Sequence, residues 1–133
     1  MLNWQSFFTV GKIREVDLAM TPQLQQRVRE IHPELSFWAL GGGKPAEHNK
    51  KKLAGRTERI ILLSAMFSDL EQFVAQVRQP RKVGPDDILD AVAAGWTGGQ
   101  AVIGKAKTLP ENPESDSRGL KMEILCPAAI MDS

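Results

Sequence analysis

The strongest constraint on this chain is its shortage of strand. Only two segments show the period-two alternation of a β-strand. In residues 28–32, Val28, Glu30 and His32 share one face and Arg29 and Ile31 the other. Pro33 has no N–H to give a ladder and ends that segment. In residues 120–126, Leu120, Met122, Ile124 and Cys126 alternate with Lys121 and Glu123, the pattern of a half-buried strand ended by Pro127. An isolated pair of strands is marginal in water. A chain of 133 residues therefore adds strands of less obvious pattern, relies on its helices, or pairs sheets between subunits.

Helical signals are abundant. Val10, Ile13, Val16 and Leu24 recur near helical spacing, with Lys12, Arg14 and Glu15 between them. Thr21-Pro22 breaks this run and starts a fresh turn, giving two helices at 8–20 and 22–27. The apolar stretch ELSFWAL at 34–40 fits one or two helical turns, and Gly41–Pro45 is a loop. Leu53, Ile60, Leu63, Phe67, Leu70, Val74 and Val77 form one helical stripe through 51–78. Ser68 followed by Glu71 is a capping-box spacing that divides this stretch near Phe67, and Pro80 closes it. Gly84-Pro85-Asp86-Asp87 opens a last helix, with Leu89, Val92, Ala93 and Trp96 on its apolar face and Gly98-Gly99 weakening its end. Residues 108–119 read as loop. There is no internal repeat.

Composition narrows the function classes. The chain is 42% hydrophobic and 25% charged, which fits a globular domain and argues against disorder. Its net charge of +1 supplies no bulk field for nucleic acid or anionic lipid, so any such site is a local patch. Cys126 stands alone, which rules out an internal disulfide framework and a multi-cysteine zinc site. His32 and His48 are too few for a histidine-rich metal centre. The opening MLNWQSFFTV lacks the basic flank and long apolar stretch of a signal peptide. The longest apolar run, Ile60–Leu63, falls far short of the roughly 20 residues that span a bilayer. A cytoplasmic protein of one domain, residues 1–133, is the expectation.

Three constellations carry chemistry. Glu30, His32 and Glu34 cluster at the end of the first strand, where carboxylates beside a histidine suit metal binding or acid–base work. The same residues equally serve a turn and a helix cap. Asp86, Asp87 and Asp90 crowd the start of the last helix, in the oxygen chemistry that Mg²⁺ or Mn²⁺ prefers. Asp86 and Asp87 equally complement the helix dipole. Lys44, His48, Lys50, Lys51, Lys52, Arg56 and Arg59 follow a glycine-rich loop and suit phosphate contact. The loop lacks the glycine spacing and Lys-Ser/Thr pair of a P-loop, and a solvated helix face accounts for the same charges. Arg56, Glu58 and Arg59 are expected opposite the apolar stripe. Cys126 sits on an apolar strand face like a core residue, there is no Gly-x-Ser-x-Gly elbow, and Trp4, Trp38 and Trp96 are too scattered to form a stacking platform.

Several of these motifs together resemble one family. KIREVD at 12–17, EIHPELSFWAL at 30–40, the lysine run with AGRTERIILL at 50–63, PDDILDAVAA at 85–94 and GLKMEI at 119–124 occur in order and with matching spacing. They are similar to a predicted RNase H-like nuclease family, catalogued as a domain of unknown function, family 429. The resemblance implies an α/β fold, an incomplete RNase H-like domain of few short strands packed by several helices. Members of that family begin with strands carrying a glycine-aspartate motif, and these have no counterpart here. The chain thus looks like the C-terminal half of that domain. The implied chemistry is phosphodiester cleavage by carboxylates holding divalent ions, Mg²⁺ or Mn²⁺. The matching catalytic acids would be Glu30, Glu34, Asp87 and Asp90, with Glu30, Asp87 and Asp90 as metal ligands. His32, Lys51 and Arg56 would contact substrate.

Three functions follow as expectations. The first is a metal-dependent phosphodiesterase acting on nucleic acid. The second is a non-catalytic remnant or assembly domain, a homodimer that covers the surface left by the missing strands. The third is a module that binds a phosphate-bearing ligand through Gly41–Lys52.

Overall fold

A computed structural model describes the backbone of residues 4–130, and the side chains of all of these except 4–8 and 81. The described chain is a small α/β arrangement of six helices followed by a two-stranded antiparallel sheet. The helices are α1 (Trp4–Ala19), α2 (Pro22–Gln25), α3 (Pro33–Leu40), α4 (Leu53–Ser64), α5 (Leu70–Arg81) and α6 (Pro85–Val102). The strands are β1 (Ala106–Leu109) and β2 (Ile124–Pro127).

Proline punctuates the helix starts. Pro22, Pro33 and Pro85 stand in the first turns of α2, α3 and α6, where a missing N–H costs nothing. Thr21 caps α2 by accepting from the Leu24 amide. The expected capping box does not form: the N-cap of α5 is Asp69, one residue after Ser68, and its side chain makes no cap hydrogen bond. Pro80 lies in the last turn of α5, and the helix ends at Lys82 in the left-handed conformation.

The core gathers around α6, which packs against α3, α4, α5 and both strands. Phe37, Ala39 and Leu40 of α3, Leu63 of α4, Leu70 and Val74 of α5, and Ile88, Leu89, Ala93 and Trp96 of α6 are buried in one cluster. The stripe read through 51–78 supplies its middle, with Ile60 and Val77 packed at the edge. Two members of that stripe are not core: Leu53 is 75% and Phe67 38% exposed.

The strands differ from the sequence reading. Residues 28–32 do not form a strand. Helical hydrogen bonds persist to Val28, and α3 starts at Pro33, so only residues 29–32 lie between the helices and just Ile31 of them pairs. Ile31 makes a lone parallel bridge to Leu125, with the Leu125 amide donating to the Glu30 carbonyl. β1 falls in a stretch with little strand signal, and pairs Ala106 with Pro127 through to Leu109 with Ile124. The second expected strand is shortened to Ile124–Pro127, because a turn around Asp116 holds Leu120. Its burial does not alternate: Leu125, Cys126 and Pro127 are all buried, while Met122 is 56% exposed. A strand with Ile31 on one edge and β1 on the other, beneath α3 and α6, loses the half-exposed pattern.

Candidate functional site

The N-terminal turns of α3 and α6 bring three acids to bear on one lysine. Asp90 lies on the second turn of α6 and Glu34 on the first turn of α3. Lys50 reaches across from the loop before α4, and its Nζ lies 2.6 Å from Asp90 Oδ2. The hydrogen bond to Asp90 raises the Lys50 pKa above its ordinary value, opposed by partial burial and reinforced by the charges of Asp90, Glu34 and Asp86. The second oxygen of Asp90, Oδ1, is buried with no hydrogen-bond partner.

Arg59 forms the other half of the cluster. Its side chain is buried, 4% exposed, and its Nη2 donates to both oxygens of Glu34 at 3.0 and 2.8 Å. Its Nη1 donates to the carbonyls of His48 and Gly55, each at 3.0 Å. The guanidinium stands 5.2 Å from the ring centre of Phe37, within cation–π range. This overturns the expectation of a solvated Arg59. The local cause is Gly55, one turn earlier on α4. A Cβ there would meet the Asn49 carbonyl oxygen at 2.2 Å, so only glycine lets the 48–49 backbone cross the helix and present carbonyls to the arginine.

Glu58, the neighbour of Arg59, tethers the same loop. It accepts from the amides of Glu47 at 2.8 Å and His48 at 3.0 Å, and meets the His48 ring at 3.3 Å. These bonds, led by that of the Glu47 amide, hold its carboxyl below the usual carboxylate range. The loop that carries Lys50 is thereby tethered at residues 47–48, by Glu58 through two amides and by Arg59 through the His48 carbonyl.

The residues expected in a site separate into groups. Glu34 and Asp90 join the cluster, with Asp86 near them. Asp87 is exposed, and the carboxylates of Asp86 and Asp87 both lie close over Gly84 at the start of α6, where the helix dipole favours negative charge. Glu30 is exposed and lines a different feature, the cleft between α1 and β2. His32 is the exposed N-cap of α3 and makes no side-chain cap bond. Lys51 is exposed, its amide held by Asn49. Arg56 is half-buried with its Nε unpartnered. Cys126 is buried, as its place on an apolar face implied, and burial raises its thiol pKa. Lys50 and Arg59 were legible as cations but not as partners of the acids. The one sequence signal of the Arg59 site is the glycine four residues before it.

A divalent ion fits this arrangement poorly as it stands. Among the described residues no three His, Cys, Asp or Glu side chains are grouped to hold a metal ion. Glu34 and Asp90, the two expected acids in the cluster, are engaged by Arg59 and Lys50. Among the described residues, no helix is long and apolar enough to cross a membrane.

No curated protein and no solved structure matches the chain. A family does. The match covers residues 1–115 and so takes in all six helices, β1 and the whole charged cluster, while GLKMEI and β2 lie beyond it. On that extent of agreement the chain belongs to the family described as "Protein of unknown function (DUF429)".

Proposed function

We propose that this chain is a non-catalytic assembly domain related to RNase H-like nucleases. The observation that carries this reading is the Lys50–Asp90 contact of 2.6 Å, with Glu34 and Asp86 also acting on the lysine. An ammonium group on the chain itself occupies the electrostatic position that a cation would take among these acids. Arg59 neutralises Glu34 in the same way. A fixed internal cation turns a carboxylate cluster into a latch between α3, α6 and the loop before α4. The relation to RNase H-like nucleases rests on the motif resemblance, and fold relation alone does not carry an activity.

The test is a cleavage assay on single- and double-stranded DNA and RNA with Mg²⁺ or Mn²⁺. Asp90→Asn, Asp87→Asn, Glu30→Gln and Lys50→Ala proteins are run beside the parent chain. No protein in the set is expected to cleave. Metal-dependent cleavage by the parent chain that disappears in Asp90→Asn would overturn the proposal.

One observation favours a second reading, a metal-dependent phosphodiesterase. The buried and unpartnered Oδ1 of Asp90 is the kind of oxygen an ion would take. On that reading Lys50→Ala raises metal-dependent cleavage, because it frees the other oxygen of the same carboxylate.

A further inference from the structure

The turn between α4 and α5 and the middle of α6 border a cleft of about 650 Å³, within the size range of small-ligand sites. It shares no residue with the Lys50–Arg59 cluster. The chain has three tryptophans, five phenylalanines and no tyrosine. Three of these rings, Phe67, Phe73 and Trp96, line this one cleft. Trp96 is buried in the core, whereas Phe67 is 38% and Phe73 48% exposed. Met66, also of the lining, is 44% exposed, so the three form one apolar patch in water. Gly95 lines the cleft without a side chain, and a Cβ there would meet nothing within 4 Å. That glycine relieves no clash; it leaves the cleft open.

The charge in the cleft has one sign. Among the described residues, Asp69 is the one charged residue of the lining. It is the N-cap of α5, where a carboxylate ordinarily accepts from the amides of the first turn. Here it is exposed and makes no cap hydrogen bond, and among the described residues it has no ion-pair partner. Glu71, on the first turn of the same helix, is exposed and equally unpaired among the described residues. The indole Nε1 of Trp96 is buried without a partner, so packing alone positions that ring.

These features select one chemistry. Aromatic rings carry negative faces and attract a cation that stands over them. An unspent carboxylate adds to that attraction. The apolar walls suit a cation that is itself clothed in carbon. A metal ion would lose its water there without replacement. An anion would be repelled by Asp69, and a neutral apolar ligand would leave that carboxylate without a role. We propose that this cleft binds a small alkylated-ammonium ligand, with its charged group among Phe67, Phe73 and Trp96 and Asp69 as the counter-ion. The site is independent of the assembly role proposed above, and neither needs the other.

The experiment is a titration of the whole chain with choline, followed by tryptophan fluorescence and by the NMR shifts of the cleft residues. The control is choline's neutral isostere, in which carbon replaces the quaternary nitrogen. Choline is expected to bind, and the isostere to bind at least about tenfold more weakly. Phe73→Leu keeps apolar bulk and loses the ring, and Asp69→Asn keeps shape and loses the charge. Each should weaken choline binding by about threefold to tenfold. Gly95→Leu fills the cleft from a position with room for a side chain, and should abolish binding. All three positions are exposed, and circular dichroism melts check that each variant folds. Choline that moves no cleft signal at about 0.1 M overturns the proposal. So does an isostere that binds as tightly as choline, or binding indifferent to both Phe73→Leu and Asp69→Asn. A trimethyl-lysine peptide that binds where choline does not would overturn the assignment to a small ligand.

Discussion

Lys50 Nζ donates to Asp90 Oδ2 at 2.6 Å, while Oδ1 of the same carboxylate is buried without a partner. One carboxylate is thus half satisfied across forty residues of sequence. It joins the loop before α4 to the helix on which the core is built. Asp86 and Glu34 add to the field at the lysine.

That relationship gives stability a defined dependence on alkaline pH. The folded-state pKa of Lys50 is raised above 10.5, chiefly by the hydrogen bond to Asp90. A raised lysine contributes stability that is fully present below its unfolded pKa and is lost as pH rises through the folded value. The gap in melting temperature between the parent chain and Lys50→Met should therefore be widest near neutrality and close well above pH 10.5. Lys50 is 36% exposed, so the neutral-pH gap should correspond to about 1 kcal/mol at most. The chain has no tyrosine to titrate in the same window. A gap that stays constant across the alkaline range would refute the link.

Arg59 should matter more than Lys50, because it is buried and answers four acceptors at once. Arg59→Met strands the His48 carbonyl, removes the side-chain bond to the Gly55 carbonyl and frees Glu34 from its partner. Breaking a buried pair costs up to about 5 kcal/mol, but Glu34 is 40% exposed and can rehydrate, so about 2–4 kcal/mol is expected. Glu34→Gln should cost about 1 kcal/mol, and Arg59→Lys should resemble Arg59→Met, since one ammonium cannot span the same acceptors. Urea midpoints with unchanged slopes are the readout. An effect of Arg59→Met no larger than that of Glu34→Gln would mean the guanidinium is not the anchor.

Legibility in the sequence divides along the range of the interaction. Pro22 and Pro85 set helix starts because their effect is local, and the 51–78 stripe supplied Leu63, Leu70 and Val74 to the core because helical period is local too. β1 was not legible. It is four residues long, with Lys107 in it, and exists because β2 offers it a ladder. Residues 28–32 show the converse, an alternating pattern that Pro33 and the preceding helical turn leave almost no room to pair. The acids were found as types, but their partners were not. The pairings Lys50–Asp90 and Arg59–Glu34 are set by how α3, α4 and α6 cross, which no spacing encodes.

Glycines in two helices should respond to alanine with opposite sign. Gly→Ala inside a helix ordinarily stabilises by about 0.5–1 kcal/mol. Gly98 and Gly99 of α6 are exposed with nothing within 4 Å of a new Cβ, so each should follow that rule. Gly55 of α4 would place its Cβ 2.2 Å from the Asn49 carbonyl oxygen and 2.8 Å from that of His48. Backbone must move there, and the His48 carbonyl held by Arg59 moves with it. Gly55→Ala should cost about 2–3 kcal/mol. Thermal melts decide it: Gly98→Ala up, Gly55→Ala down, with a neutral Gly55→Ala sinking the account of how the loop crosses α4.

The register of α3 on α6, which brings Glu34 and Asp90 to the same cluster, is held from inside by two hydroxyls. Ser36 Oγ and Thr97 Oγ1 are 2.7 Å apart, and both residues are completely buried. Ser36 lies two residues beyond Glu34 on α3, and Thr97 seven residues beyond Asp90 on α6. Removing one hydroxyl strands the other in an apolar surround, at about 1–3 kcal/mol, whereas removing both strands neither. Ser36→Ala and Thr97→Val should each destabilise, and the double variant should cost less than their sum by at least about 0.5 kcal/mol. Denaturant titration of the four proteins closes the cycle. Strict additivity would show that the two hydroxyls contribute separately, through packing or through other partners, and that the α3–α6 register is fixed by the surrounding apolar side chains alone.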